Sequence, residues 1–316
     1  RDSLDPSRWR RGMDDETVLV TGGAGFIGSN LAAHLAEAND VIAVDDCYLG
    51  TPENLPDSVR FVEQSVLDDD LPTDVDVVFH LAALSSRGIV ESNPVEGTEV
   101  NVDGFVNVVE QALDDGCDTF VYASTSSIYD DELSSSEDEA VTANTGYEAT
   151  MLARERFGEY YNSFYEDVTA AGMRFFSIYQ GYGGAESHKG QYANTVSQWA
   201  AKMADGERPV LWGDGSQTRD YTHVDDVVRA LELTADNQLS GVFNVGAERS
   251  FSFDETVTLL NETLGTDIEP EYEPIPLKHY NYQQRADASK LRDATGWEAE
   301  IDFEDGIEDV CAPYLD

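Results

Sequence analysis

Gly22, Gly25 and Gly28 stand at G-x-x-G-x-x-G spacing, directly after the apolar run Val18-Leu19-Val20-Thr21. That pattern suits a pyrophosphate. The first glycine permits a tight strand-to-helix turn, the second lets a diphosphate approach the backbone, and the third lets the helix pack closely on the strand. The helix N-terminus adds free N–H groups and positive dipole for the anion. A second apolar run, Val41-Ile42-Ala43-Val44, ends in Asp45, 17 residues after Gly28. A carboxylate there can accept both hydroxyls of an adenosine ribose and repels a 2′-phosphate. The pattern therefore predicts a dinucleotide site that takes NAD in preference to NADP.

Holding these groups requires a strand, a turn and a helix in that order. Thr17–Thr21 reads as the strand, and Ile27, Leu31 and Leu35 recur every four residues on one helical face. Further strands are predicted over 59–62, 75–81, 119–123, 173–178 and 242–245. Helices are predicted over 97–115, 146–167, 191–205 and 253–264. Residues 130–139 read as an acidic surface loop and 181–190 as a Gly-rich one. Strands alternating with helices imply an α/β fold with a doubly wound parallel sheet and helices on both faces. The expected division is an NAD-binding domain over 13–178, with 222–246 returning to it. A smaller, intertwined C-terminal substrate domain covers 179–221 and 247–316. The segment 1–12 carries Arg1, Arg8, Arg10 and Arg11 ahead of Met13, and is set aside as a disordered extension or tag.

Composition narrows the function classes. The chain has 316 residues, with 63 Asp+Glu against 19 Lys+Arg and a net charge of −44. Nucleic acid and anionic membrane surfaces are therefore not expected partners. No stretch approaches the roughly 20 apolar residues that span a bilayer. Cys47, Cys117 and Cys311 are far apart and odd in number, which fits a reducing cytoplasm better than a disulfide framework. His34, His188, His223 and His279 lack metal-ligand spacing, so no metal is expected. His80 reads as a core histidine, Trp199 and Met203 as core, and Asp225-Asp226 as the cap of a helix. The dispersed acid resembles proteins of salt-accumulating halophilic archaea. Self-repulsion of that charge predicts a melting temperature that rises with potassium chloride. A melting temperature indifferent to salt contradicts it.

Several stretches in order carry a family resemblance. They are Thr21–Ser29, His80-Leu81-Ala82-Ala83, Asn101-Val102-Asp103-Gly104, Ser124-Thr125-Ser126-Ser127-Ile128-Tyr129, and Tyr147 eighteen residues beyond Tyr129. Gly213–Tyr221, Val224-Asp225-Asp226, Arg285-Ala286-Asp287 and Gly296-Trp297 follow. Together they resemble the extended short-chain dehydrogenase/reductase family, in its nucleotide-sugar epimerase and dehydratase branch, nearest the UDP-glucose 4-epimerases. The likeness runs from about residue 16 to about residue 310. It implies a Rossmann-type fold, bound NAD, a UDP-sugar or other nucleotide-diphosphate sugar as substrate, and a homodimer built on helices 97–115 and 146–167. It implies epimerisation at C4 through a transient 4-keto sugar. By the same resemblance, Gly22, Gly25, Phe26, Ile27 and Gly28 would meet the pyrophosphate, and Asp45 and Asp46 the adenosine ribose. Val66 would lie beside the adenine. Leu81, Ala82, Ala83, Asn101 and Phe176 would complete the cofactor site with Tyr147 and Met151. Thr125 would orient the sugar oxygen with Tyr147 as acid/base, beside Ser126, Ser177, Asn194 and Arg87. Arg219 and Arg285 would grip the diphosphate.

Three positions depart from the family. Ser65 replaces an Asp, and Ser177 stands where epimerases often have Asn. Met151 replaces the lysine of Y-x-x-x-K. That ammonium lowers the tyrosine pKa and binds the nicotinamide ribose, and a thioether does neither. A phenol near pKa ~10 is only about 0.1% ionised at pH 7. The chain has four lysines, the first at Lys189, and Arg154 and Arg156 are expected by spacing to point elsewhere. The favoured reading is an active epimerase with an unusual proton path. The alternatives are an impaired enzyme and a non-catalytic NAD-binding protein. Within the enzymes, Ser126 and Ser127 replace the carboxylates that dehydratases and decarboxylases carry after the threonine, which places sugar dehydration and UDP-uronate decarboxylation second.

Overall fold

Val18 and Val20 face one side of strand β1 (Thr17–Thr21) and Leu19 the other. All three are fully buried, as befits a central strand of a parallel sheet covered on both faces. The computed structural model describes residues 12–129, 134–180 and 187–315. After β1 come α1 (Phe26–Leu35), β2 (Asp40–Asp45), β3 (Arg60–Glu63), β4 (Val77–His80), α2 (Arg87–Ser92), α3 (Pro94–Thr98) and α4 (Gly104–Asp115). Then follow β5 (Thr119–Thr125), α5 (Gly146–Phe164), β6 (Thr169–Phe175), β7 (Ser177–Tyr179), α6 (Thr195–Ala204), β8 (Val210–Trp212) and β9 (Thr218–His223). The chain ends with α7 (Val224–Asp236), β10 (Gly241–Val245), β11 (Ser250–Ser252), α8 (Phe253–Leu264), β12 (Glu271–Glu273), α9 (Ser289–Thr295) and α10 (Phe303–Cys311).

The main sheet has the order β10-β6-β5-β4-β1-β2-β3, and every pairing in it is parallel. Parallel strands deliver all their C-terminal ends to one edge of the sheet, where ligands bind in such folds. Thr21, Asp45, His80 and Thr125 end their strands there. One core layer sets Leu31 and Leu35 of α1 with Val227 and Leu231 of α7 and with Trp297. The other sets Phe105 and Val109 of α4 with Phe120 and Tyr161. A third cluster gathers Trp199, Met203, Leu211, Phe253 and Phe303 beyond the main sheet. Among the described residues no helix is long and apolar enough to cross a membrane.

Several expected elements take different bounds. The helix predicted over 97–115 is split, because Glu99–Asp103 forms a wider turn between α3 and α4. Asn101 holds that turn: its side chain accepts from Leu84 N at 2.7 Å and donates to Thr150 Oγ1 at 3.0 Å. The strand predicted over 173–178 breaks at Phe176. Its N–H turns to Val245 O, and β7 leaves to pair with β9. Asp225 and Asp226 occupy the first turn of α7, but His223 caps it, Nδ1 accepting from Asp225 N at 3.2 Å. The Asp226 carboxylate instead receives the N–H groups of Glu300 and Ile301. The acidic stretch is not wholly surface: Ser135 is buried and pairs with Ala286, while 130–133 lie outside the described residues. So do 1–11 and 181–186. Gly12, set outside the fold by sequence, donates its N–H to Glu232.

Asp220 on β9 knits the C-terminal part together. It is fully buried and accepts from the backbone N–H groups of Ala247, Glu248 and Ala286 at 2.8, 3.0 and 2.9 Å. Burial outweighs these donors and pushes its carboxyl from 3.8 up to about 7. Between those values the unfolded chain releases a proton that the folded chain keeps, so stability falls as pH rises across that window and levels above it. Asp220→Asn should remove this component, about 1.4 kcal/mol per pH unit. Urea midpoints for both proteins across pH 4–7 test it, and parallel slopes refute it.

Candidate active site

A cavity opens over the C-terminal edge of the main sheet. Its wall includes Gly22, Gly25, Phe26, Ile27, Gly28, Asp45, Asp46, Val66, Leu81, Ala82, Ala83, Thr125, Ser126, Tyr147, Met151, Phe176, Ser177 and Asn194. Gly22 follows β1 with φ +67°, a left-handed conformation, and a Cβ there would lie 2.7 Å from Ala82 N. The turn therefore lies against the chain leaving β4, and Phe26, Ile27 and Gly28 of the first turn of α1 line the cavity, where a helix N-terminus suits an anion. Asp45 is buried at the end of β2. Its Oδ2 accepts from Ala24 N at 3.1 Å and its Oδ1 from Cys47 N at 2.8 Å. Burial raises its pKa against those two hydrogen bonds. The bare glycine cradle and this carboxylate fit a dinucleotide.

Thr125 ends β5, and its hydroxyl accepts from Ser127 N at 3.2 Å. Tyr147 stands at the second position of α5, which starts where a reciprocal cap forms. Thr145 Oγ1 accepts from Glu148 N at 3.2 Å, and the Glu148 carboxylate accepts from Thr145 N at 3.1 Å. Burial pushes the Tyr147 phenol up, while a hydrogen bond with Thr125 and the charge of Arg154 pull it down. Met151 lies one turn further along α5, 1% exposed and in the cavity wall.

Arg154 overturns the expectation that it points elsewhere. Positions 147, 151 and 154 fall on one helical face, and Arg154 is fully buried. It donates from Nε to Asn101 O at 3.1 Å, from Nη1 to Ala123 O at 3.1 Å and from Nη2 to Ala82 O at 3.0 Å. Arg156 does point outward, paired with Glu159.

Four predicted residues lie outside the cavity wall. Asn101 is buried behind it in the wide turn. Arg87 pairs with Glu91 and donates to the carbonyls of Lys278 and His279. Arg219 sits 5.3 Å from the Phe253 ring and 5.1 Å from the Tyr280 ring, and Arg285 is exposed. The Asp220–Ala286 hydrogen bond sets these last two beside one another along the chain paths. Ser65 accepts through Oγ from Leu67 N, and its own N–H is taken by Asp68. His80 is buried and neutral, its Nδ1 3.0 Å from Thr21 Oγ1, and burial lowers its pKa well below the usual value. Lys189, Tyr192 and Gln284 also line the cavity. Sequence reasoning missed them because no motif marks them: Lys189 and Tyr192 belong to a short 3-10 segment, Ser187–Tyr192, brought to the cavity by the fold. Lys189 has its ammonium 5.3 Å from the Phe26 ring, at the glycine turn. Among the described residues no group of three or more His, Cys, Asp or Glu side chains is placed to hold a metal.

Comparison with known proteins agrees with this geometry. Residues 18–246 match the model of the NAD dependent epimerase/dehydratase family. A UDP-glucose 4-epimerase of Mycolicibacterium smegmatis is 33% identical over 306 residues, 92% of this chain and 96% of that protein. The crystal structure of a UDP-glucose 4-epimerase from Thermotoga maritima with UDP-glucose is 30% identical, with a TM-score of 0.85, covering 94% of this chain and 98% of that one. The Thermus thermophilus UDP-glucose 4-epimerase complex with NAD is 27% identical, with a TM-score of 0.83, over 94% and 98% of the two chains. With its seven parallel strands, glycine turn and Thr125–Tyr147 pair, this chain belongs to the NAD-dependent epimerase/dehydratase family.

Proposed function

We propose that the chain interconverts C4 epimers of a UDP-linked sugar. The observation that carries this reading is that Thr125 and Tyr147 line one cavity, with Ser126 and Ser127 in the wall beside them instead of carboxylates. Tyr147 takes the proton of the C4 hydroxyl and Thr125 orients that oxygen. NAD, when bound, supplies the acceptor and donor of hydride. The resulting ketone turns in the cavity and Tyr147 returns the proton, so the net change is stereochemical. With Ser126 and Ser127 following Thr125, no carboxylate stands at those two positions to assist elimination of water. Gly22, Gly25, Phe26, Ile27 and Gly28 hold the pyrophosphate, Asp45 and Asp46 the ribose, and Val66 the adenine. Residues 13–178 with 222–246 serve the cofactor, and 179–221 with 247–316 serve the sugar nucleotide, where Arg219 and Arg285 take the diphosphate. Arg suits that task because its rigid fork matches phosphate oxygens.

The test is incubation in concentrated potassium chloride, as the acidic surface of a salt-adapted cytoplasmic protein requires, with NAD and UDP-glucose, UDP-N-acetylglucosamine or UDP-glucuronate. Proton NMR of the anomeric region should show the C4 epimer of at least one. Loss of carbon dioxide or formation of a 6-deoxy-4-keto sugar would replace the epimerase reading.

A homodimer is part of this reading. Phe157, Tyr160 and Phe164 form one stripe on α5 and are 37%, 43% and 67% exposed. Such a stripe suits helix packing against a second copy. Sedimentation of Phe164→Glu should give a monomer where the wild type gives a dimer; identical profiles count against it.

A further inference from the structure

A guanidinium buried without a counter-charge is expensive and calls for a function or a compensating field. Arg87, Arg156 and Arg174 are each paired with a glutamate. Arg154 makes no ion pair among the described residues, and its partners are three backbone carbonyls. Its neighbour Glu155 does not neutralise it, since that carboxylate is taken by Arg174 at 2.8 Å and by Ser124 Oγ at 2.6 Å. Ala82 and Ala123, which accept from Nη2 and Nη1, both line the cavity. The positive charge therefore lies directly beneath the cavity floor, on the same face of α5 as Tyr147 and Met151.

We propose that Arg154, acting from beneath the floor, supplies the positive charge that favours the Tyr147 phenolate in place of an ammonium at Met151. This rests on the epimerase reading above. Arg154 touches neither substrate nor cofactor in this role, so it is a positioning residue acting through Tyr147. The placement carries it: a fully buried guanidinium held by the carbonyls of Ala82 and Ala123, both in the cavity wall, on one helical face with Tyr147. The electrostatics agree in direction, although burial remains the larger influence and holds the Tyr147 phenol up. The Arg154 charge acts to lower the Tyr147 phenol, and the Tyr147 oxygen in turn acts to hold the Arg154 proton. Burial brings the Arg154 guanidinium down to about 10, which leaves it charged at neutral pH. Tyr122 also acts on the Arg154 charge, after Tyr147. His80 on β4 is neutral, Tyr122 on β5 is held protonated by burial, and the Phe105 ring of α4 lies 5.7 Å from the guanidinium carbon. Glu148 opposes the effect at Tyr147, with its carboxylate engaged in capping α5. The wide turn at Glu99–Asp103 belongs to the same device, since the Asn101 carbonyl there receives Nε.

The experiment is an ultraviolet titration of tyrosinate, taken as the difference between each protein and the same protein carrying Tyr147→Phe, together with pH profiles of kcat. Arg154→Gln keeps a donor for the carbonyls and removes the charge. It should move the Tyr147 titration and the acidic limb of kcat up by about one pH unit, and lower neutral-pH kcat about tenfold, with KM unchanged. Arg154→Lys should leave both near wild type. A titration that stays put in folded Arg154→Gln, or moves equally in Arg154→Lys, overturns the proposal. Met151→Lys leaves Arg154 in place and gives an arm independent of its folding. It should change kcat only a few-fold, and a gain of about 100-fold would mean that the wild type lacks a working cation. The titration requires no turnover. An absence of sugar conversion in every variant alongside the expected titration shift would thus defeat the epimerase reading and leave the role of Arg154 standing.

Discussion

Tyr147→Phe should lower kcat by roughly 10³-fold while NAD and the UDP-sugar still bind within a few-fold of wild type. The variant removes one oxygen and keeps the ring, which packs on the cluster of Leu84, Ile89 and Val90. The fold therefore has no reason to change. On the proposed mechanism, what disappears is the acceptor of the C4 hydroxyl proton, and Thr125 cannot replace it because a neutral aliphatic hydroxyl is a far weaker base than a phenolate. Retained NAD, measured after acid release, and substrate affinity by calorimetry separate this from a binding defect. A loss under tenfold would move the acid/base role to another group.

Gly28→Ala should all but eliminate NAD binding and lower the melting temperature by several degrees. A Cβ at residue 28 would be driven into the carbonyl group of Gly22, far inside van der Waals contact. Gly22 cannot retreat, because its own backbone lies against that of Ala82. The helix must therefore lift from the turn, and the N–H groups of α1 lose their aim at the diphosphate. Overpacking against side chains costs about 1–3 kcal/mol, and backbone yields less readily. Gly25→Ala provides the graded comparison, since its Cβ would meet only Gly22 O, at 3.2 Å. Its NAD affinity should fall far less. Fluorescence titration with NADH distinguishes them, and a Gly28→Ala protein that binds as wild type does would refute the close-packed turn.

The glycine turn, β1, β2 and Asp45 were legible because each is set by residues within one local stretch. The parallel, doubly wound character of the sheet around them followed from alternating periodicities, while its strand order came only with the structure. Features decided by distant partners were not legible. The apolar spacing of 97–115 continues through Glu99–Asp103, and only the contacts of Asn101 with Leu84 and Thr150 show why the helix opens there. The run at 173–178 looks like one strand, and its break at Phe176 depends on β9 and β10. Arg154 was misread for a different reason. Its spacing reads as turning it away, although positions 147, 151 and 154 share a helical face, and the carbonyls of Asn101, Ala123 and Ala82 that hold it inside come from distant segments. Arg87 illustrates the converse, since its donors are claimed by a segment about 190 residues away.

The position of β10 has a consequence for how the chain is made. Residues 17–175 contain six of the seven strands, yet the outer edge of β6 stays open until residues 241–245 arrive. Helix α7, which covers Leu31 and Leu35, emerges from the ribosome just before them. A nascent chain or proteolytic fragment ending near Tyr179 thus carries an unpaired strand edge beside an uncovered apolar face, a combination prone to pairing with other chains. Residues 17–175 are therefore not a separable unit to be expressed alone: the last strand of their sheet is encoded after β7, β8 and β9.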